Sequence, residues 1–398
     1  MRSFTIATTA AIVLAALGAQ PARAASTWHL SPSGSDAKAC TEAQPCRTLE
    51  RAYSIALAGD TIVLHAGTYG AAGERFSATK PGLTFTGAAG EDRPVLIGRY
   101  ATRATDIRWT ELVFDGPTGN VGGNGCEGED GPLWFTTAAD GGRVDHSEIR
   151  NSRGHFGVYV EANAEIDHDW LHDNGCFGDP AAANLDHGIY WASGSGAIHD
   201  NVIEHSYAYG IQLYPSANGV SVRHNTIVGS GRGGIIVAGS STGIVIANNI
   251  IADNSTTGIT AFSLTGGGNE VRTNLIHGNT EGAFGTTTGL TITGPTVAQD
   301  PLFVSATDFH LQPGSPAIGA ADAGDATATD LDDVPRDPGA PADLGAYELR
   351  ADALFRSARR HSRAGRCLRR VRLRRCRPPG PGPRPRAARG GRSPALPA

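Results

Sequence analysis

Asp186, His187 and Tyr190 place a carboxylate, an imidazole and a phenol within one short segment, Asp186-His187-Gly188-Ile189-Tyr190. These groups move protons: imidazole exchanges one near neutral pH, a carboxylate orients it, and a phenol gives one to a leaving oxygen. They are the candidate catalytic residues. Related segments lie on either side. His155 precedes Gly157-Val158-Tyr159-Val160-Glu161, and Tyr209 precedes Gly210-Ile211-Gln212-Leu213-Tyr214. If each is a strand, the first and third residues after Gly point inward and the second and fourth point outward. Tyr159, Tyr190 and Gln212 then form one outer column, with Glu161 and Tyr214 beside it and His155, His187 and Tyr209 near it. Aromatic platforms with hydrogen-bonding rims suit sugar rings. Tyr159, Glu161, Gln212, Tyr214 and Trp134 are therefore candidate substrate contacts, and Arg153 and Arg232 are candidate partners for a substrate carboxylate. An exposed strand also carries Tyr and Gln as ordinary solvated surface.

The element that must position these groups is a repeat. Gly188-Ile189, Gly210-Ile211, Gly234-Ile235 and Gly258-Ile259 each open an apolar strand, and a second apolar segment follows each one. From Gly210 the glycines recur every 24 residues, as do Asn201, Asn225 and Asn249. Such a period marks a solenoid, and alternating β-branched residues mark its units as strands. A coil of this length holds three short strands and three turns, which predicts an all-β parallel β-helix. One Asn per coil at the same corner allows a hydrogen-bonded ladder. His146, His168 and His224 sit beside that corner and are expected as ladder neighbours rather than catalysts. From Gly234 onward the outer face is small and apolar, as expected for scaffold.

Two segments break the rhythm. Asp115–Gly131 is a long Gly-rich loop with Cys126, Glu127, Glu129 and Asp130, and His172–His187 stretches the coil from Asp169 to Asn201 to 32 residues. Insertions in a solenoid gather on one face, often the binding face. Glu127, Asp130, Asp173 and Asp179 are candidate Ca²⁺ ligands, since Ca²⁺ takes several hard oxygens, although EF-hand spacing is absent. Cys40–Cys46 and Cys126–Cys176 are the expected disulfides, the alternative for the second being two buried thiols.

Met1–Ala24 reads as a secretory signal, with Arg2, an apolar run and Ala22-Arg23-Ala24 as the cleavage site. That run is too short to span a bilayer, and no later segment qualifies. An exported, soluble monomer is expected. The formal net charge of −5 hides two opposed parts. Residues 350–398 carry 16 Arg and one Asp; without them and Arg2 and Arg23, the 34 basic residues fall to 16 and the 39 acidic to 38. The body is thus near −22, which argues against nucleic acid as partner and makes a polyanion an awkward ligand unless cations are supplied. Residues 350–398, rich in Arg and Pro, cannot form a core and read either as a basic disordered tail or as out-of-frame sequence after Leu349.

Near the N-terminus, Leu49, Ala52, Tyr53 and Ala56 share one helical face before Gly59-Asp60, as a short helix capping the first coil would. The run Ser31-Pro32-Ser33-Gly34-Ser35-Asp36, Cys46-Arg47-Thr48-Leu49 and Asp60–Tyr69 resembles the entry to secreted right-handed β-helix proteins of the pectin-lyase-like superfamily. Asp300–Leu349 resembles the closing segment of the same group. The resemblance spans about residues 28–349, with the cap at about 28–70 and the closing segment at about 297–349 of a domain over 25–349. It implies a right-handed, single-stranded parallel β-helix with a saccharide groove on the sheet bearing the aromatic column. It does not imply one activity, because the group hosts several chemistries.

Three functions follow as expectations. The first is a polysaccharide lyase, which needs a base for the C5 proton, an acid for the leaving oxygen and cover for the uronate carboxylate. The body has only Lys38 and Lys80, a departure from the Lys-dependent β-helix lyases, which leaves His187 and Tyr190 with Arg153 or Arg232. The second is a glycoside hydrolase using two of Glu161, Asp179, Asp186 and Glu204. The third is a non-catalytic carbohydrate-binding or surface protein.

Overall fold

The computed structural model describes residues 23–116, 131–176, 186–336 and 340–349. The chain divides into two units, Met1–Leu349 and Arg350–Ala398. The second unit lies outside the described residues, as do residues 1–22.

Short β-branched strands cannot bury an apolar face alone, so each must stack on the next coil. Among the described residues, twenty-six strands do so in one continuous parallel sheet wound into a solenoid. Each regular coil contributes three faces. One is built from Gly142–Asp145, Ala164–Asp167, the second halves of His187–His199 and Ile211–Arg223, and Val245–Ala247. Another stacks Glu148–Arg150, Trp170–His172, Val202–Glu204, Thr226–Val228 and Ile250–Ala252. The third stacks Leu133–Phe135, Phe156–Val160, the first halves of the two long strands, and Ile235–Ala238.

The inward residues form one stack per face. Ile166, Ile198, Val222, Ile246 and Val271 are in register, as are Ile149, Leu171, Ile203, Ile227, Ile251 and Ile276, and Val158, Ile189, Ile211, Ile235 and Ile259. All are buried. Each contributes about 1.5–3 kcal/mol on burial, which fixes the inside of every strand and therefore the direction of the residues between.

The Asn ladder is present. Asn201 Nδ2 donates to Asn225 Oδ1 (2.9 Å), Asn225 to Asn249 (3.0 Å) and Asn249 to Asn274 (3.0 Å), and each Asn also donates to a carbonyl of an earlier coil. Asp169 occupies the next place. It accepts from the Ser147 N–H at 2.7 Å, but its Oδ2 is buried without a hydrogen bond. Burial, joined by the charge of Asp167, pushes its carboxyl well above the usual range. A group with a raised folded-state pKa loses stabilising effect as pH rises through it, so ionisation of Asp169 costs most at neutral and alkaline pH. Asp169→Asn should let the side chain donate as the other ladder residues do. We expect a gain of about 1–3 kcal/mol in urea unfolding at pH 8 and a smaller gain at pH 4.

At the N-terminal end, the helix Leu49–Ile55 lies over the first coil. Thr48 caps it by accepting the Arg51 N–H, and Leu49, Ala52 and Ala56 are buried, as the sequence predicts. Cys40 and Cys46 form a disulfide. The closing segment does not stop at the last coil. Phe309, Leu311, Ala317, Leu344 and Ala346 pack on the outer side chains Val202, Ile250 and Leu275 of the second face. The segment then runs back along the flank: Thr327 reaches Asp200, Thr329 reaches His168 and Asp333 reaches His146. Gly345, at φ +87°, has no room for a Cβ, which would lie 2.7 Å from Ile250 and 2.8 Å from Thr226.

Candidate functional site

The third face carries the predicted column. Ala101, Trp134, Tyr159, Tyr190, Gln212 and Ile236 are consecutive partners across parallel strands. Ring centroids of Trp134 and Tyr159 are 6.1 Å apart, and those of Tyr159 and Tyr190 are 5.1 Å apart, edge to face. Phe156 stacks on Tyr159 at 4.8 Å. Trp134 Nε1 donates to Glu161 at 3.0 Å, and Gln212 hydrogen-bonds Tyr190. Tyr214, two residues beyond Gln212 in the same strand, is exposed, whereas Gln212 and Ile236 are buried.

Both phenols are held protonated. Burial, then the charge of Glu161, pushes Tyr159 up to about 12. Burial raises Tyr190 as well, against the hydrogen bond from Gln212. At neutral pH they are donors and acids, not bases.

The proton-accepting end is arranged differently from its order in sequence. Asp186 is fully buried, accepts the Cys176 N–H at 2.8 Å and pairs with Nδ1 of His155 at 3.1 Å. A carboxylate on Nδ1 places the ring proton there and leaves Nε2 as the basic nitrogen. The His155 side chain is 26% exposed. His187 shares strand parity with Ile189 and Trp191 and is fully buried, between the rings of Tyr190 (5.5 Å) and Tyr209 (5.9 Å). Its Nδ1 accepts the Tyr209 N–H at 3.2 Å. The imidazole that Asp186 orients is thus His155, one coil earlier.

Cations gather at the opposite end of the column. Arg75 and Arg99 are cross-strand partners, Arg99 and Ala101 share one strand face, and Arg103 directly follows the strand's last residue, Thr102. Arg75, Arg99 and Arg103 line a cleft with Phe76, Tyr100 and Trp134, and the Arg103 guanidinium lies 5.1 Å from the Trp134 ring centre. The alternation Arg99-Tyr100-Ala101-Thr102-Arg103 is the sequence pattern that would have revealed them. Arg153, exposed, and Arg232, half-buried, lie at strand entries rather than in that cleft.

Among the described residues, Glu161, Asp186 and Glu204 do not pair for hydrolysis. Asp186 lies beside His155, six residues before Glu161 on the neighbouring strand, a run of roughly 20 Å at 3.3 Å per residue, against the 5–9.5 Å of paired catalytic carboxylates. Glu204, expected near the groove, is on the second face, bonded to Trp170 Nε1 at 2.8 Å and covered by the closing segment. The strand Val202–Glu204 stacks on Trp170–His172, not on Phe156–Val160. Asp179 lies outside the described residues.

Of the four candidate calcium ligands, Glu127, Asp130 and Asp179 also lie outside the described residues. Asp173 is taken by His172 Nδ1 at 2.7 Å. Among the described residues no set of hard oxygens converges beside the groove. Cys176 is buried and disulfide-bonded, while Cys126 lies outside the described residues. Among the described residues, no helix is long and apolar enough to cross a membrane.

The family described as periplasmic copper-binding protein (NosD) matches residues 121–294. No curated protein sequence matches the chain. Among solved structures, pectate lyase Pel9A is 12% identical with a TM-score of 0.51, covering 82% of this chain and 96% of that one. A rhamnogalacturonan lyase is 13% identical (TM-score 0.41, 64% and 69% covered), and the Dettilon tailspike protein is 13% identical (0.47, 72% and 65%). With three parallel faces per coil, an internal Asn ladder and this likeness to Pel9A, the chain is a right-handed parallel β-helix and shares the fold of that pectate lyase.

Proposed function

We propose that the protein is an exported, carbohydrate-active β-helix enzyme that cleaves an acidic polysaccharide by β-elimination along its third face. One observation carries this: a continuous strip runs from Arg75, Arg99 and Arg103, over Trp134, Tyr159 and Tyr190, to the corner where Asp186 holds His155. The arginines meet a uronate carboxylate in a body that is otherwise strongly acidic. The aromatic rings take the apolar faces of the sugars. His155 Nε2 takes the C5 proton, the electron pair forms the C4–C5 double bond, the C4–O4 bond breaks, and the Tyr190 hydroxyl protonates the leaving oxygen. His187 positions Tyr190 from beneath. The raised pKa of Tyr190 keeps it protonated, so it can be the acid and not the base, and the separation of Glu161 from Asp186 disfavours hydrolysis. The Cys40–Cys46 bond and the leader support an oxidising, exported location.

Affinity electrophoresis in gels containing a polyuronide tests the strip. The wild-type protein should be retarded, and Arg103→Ala should bind roughly tenfold more weakly, as loss of one charge-assisted contact predicts. Retardation by neutral glycans alone would reject an acidic substrate. Equal retardation of wild type and Arg103→Ala would remove the cationic cleft from the site.

A further inference from the structure

A second cluster lies away from the groove, where the closing segment crosses the corner of the coil. His146 and His168 occupy the same corner one coil apart, both in the left-handed region (φ 50° and 53°). Their rings are parallel, 4.8 Å apart with an interplanar angle of 11°. Each Nδ1 is held by the preceding carboxylate, His146 by Asp145 at 2.8 Å and His168 by Asp167 at 2.7 Å. Both rings therefore aim Nε2 at the closing segment. There His146 Nε2 meets Asp333 Oδ1 at 3.0 Å, and His168 Nε2 meets Thr329 Oγ1 at 3.0 Å. One ligand atom from each of His146, His168 and Asp333 lies within 4.8 Å of the others.

We propose that His146, His168 and Asp333 bind a divalent transition-metal ion that clips the closing segment to the solenoid. Two features single this cluster out. The carboxylate behind each imidazole is the arrangement that orients metal-ligating histidines and raises their basicity. Two imidazoles and one carboxylate suit Zn²⁺, Cu²⁺ or Co²⁺, whereas Ca²⁺ and Mg²⁺ take oxygen sets. Asp333 is exposed, so the ion has an entry path and room for a water as fourth ligand. A tetrahedral ion at about 2.0–2.1 Å from each nitrogen sets them roughly 3.4 Å apart, so binding tilts the stacked rings toward each other at Nε2. The neighbouring group of Asp167, His168 and His199 does not form a separate site. Asp167 is already bonded twice by Arg143, and both nitrogens of His199 face Asp200 and Glu165.

The test uses the untagged full chain, stripped with a chelator and titrated with Co²⁺. We expect one ion per chain, visible d–d bands of a tetrahedral site, and displacement by Zn²⁺. His146→Gln should abolish the bands. Asp333→Asn, at an exposed position that does not threaten folding, should weaken binding at least tenfold. Hydrogen exchange of residues 327–333 should slow with Zn²⁺ in the wild type and not in Asp333→Asn. Absence of the bands in the wild type, or equal Co²⁺ binding by wild type and Asp333→Asn, would overturn the site. If His146→Gln fails to fold by circular dichroism, the Asp333→Asn titration decides.

Discussion

Asp186→Asn should lower turnover of the acidic glycan by about 10²–10⁴, the usual contribution of a positioned general base. The substitution keeps the shape of the side chain and can still accept the Cys176 N–H. What it removes is the negative charge that holds the Nδ1 proton of His155 in place. The amide can present its NH₂ instead, which favours the tautomer with the proton on Nε2 and leaves no basic nitrogen for C5. Binding should therefore persist in the electrophoresis assay while kcat falls. His155→Ala should lose as much. If Asp186→Asn keeps kcat within a factor of about three, base catalysis by this pair is wrong, and the buried His187 becomes the base to test.

Arg336→Met should cost about 3–5 kcal/mol, the penalty for removing one partner of a buried ion pair. The Arg336 side chain is 1% exposed although it lies in the closing segment. Its guanidinium bonds Asp200 at 2.8 Å, Glu348, and the carbonyls of Gly345 and Asp343. Asp200 is itself fully buried at the corner of its coil. Burial would raise its carboxyl, but His199 and Arg336 hold it below the usual range. The stabilisation tied to that lowered value is present above about pH 4 and is lost as pH falls through the folded-state value. In Arg336→Met the charge on Asp200 loses its main cation, so urea unfolding at pH 7 should show the large loss and a flatter acid limb. Adding Asp200→Asn should recover part of it. A single variant within 1 kcal/mol of wild type would mean that the network does not anchor the closing segment.

The frame of the molecule was legible because it rests on local rules. Alternation after each glycine placed Val158, Ile189, Ile211 and Ile235 inside and Tyr159, Tyr190 and Gln212 on one column, and the period of the Asn residues marked the ladder corner. The short helix Leu49–Ile55 followed from its periodicity in the same way. Relations between coils were harder. His155 and Asp186 are 31 residues apart because the inserted coil breaks the repeat, so nothing in the spacing pairs them. Proximity in sequence instead favoured His187, whose strand parity takes it inside. Glu204 illustrates the same limit: without knowing which face its strand joins, its side of the solenoid is undetermined. The arginine cleft depends on the strands Thr68–Ala78 and Val95–Thr102 continuing around a corner, with a register shift between Gly70 and Arg75 that no local pattern reveals. The path of the closing segment back to His146 is set by tertiary contacts with the corner side chains, which its sequence alone does not specify.

The most direct measurement is ultraviolet absorbance during incubation with a panel of acidic and neutral polysaccharides, with reducing ends counted in parallel. β-Elimination predicts that absorbance of the C4–C5 double bond rises together with reducing ends on a polyuronide, and that both rises disappear in Asp186→Asn. New reducing ends without the absorbance would contradict elimination and point to hydrolysis, and binding with neither signal would make the strip a recognition surface.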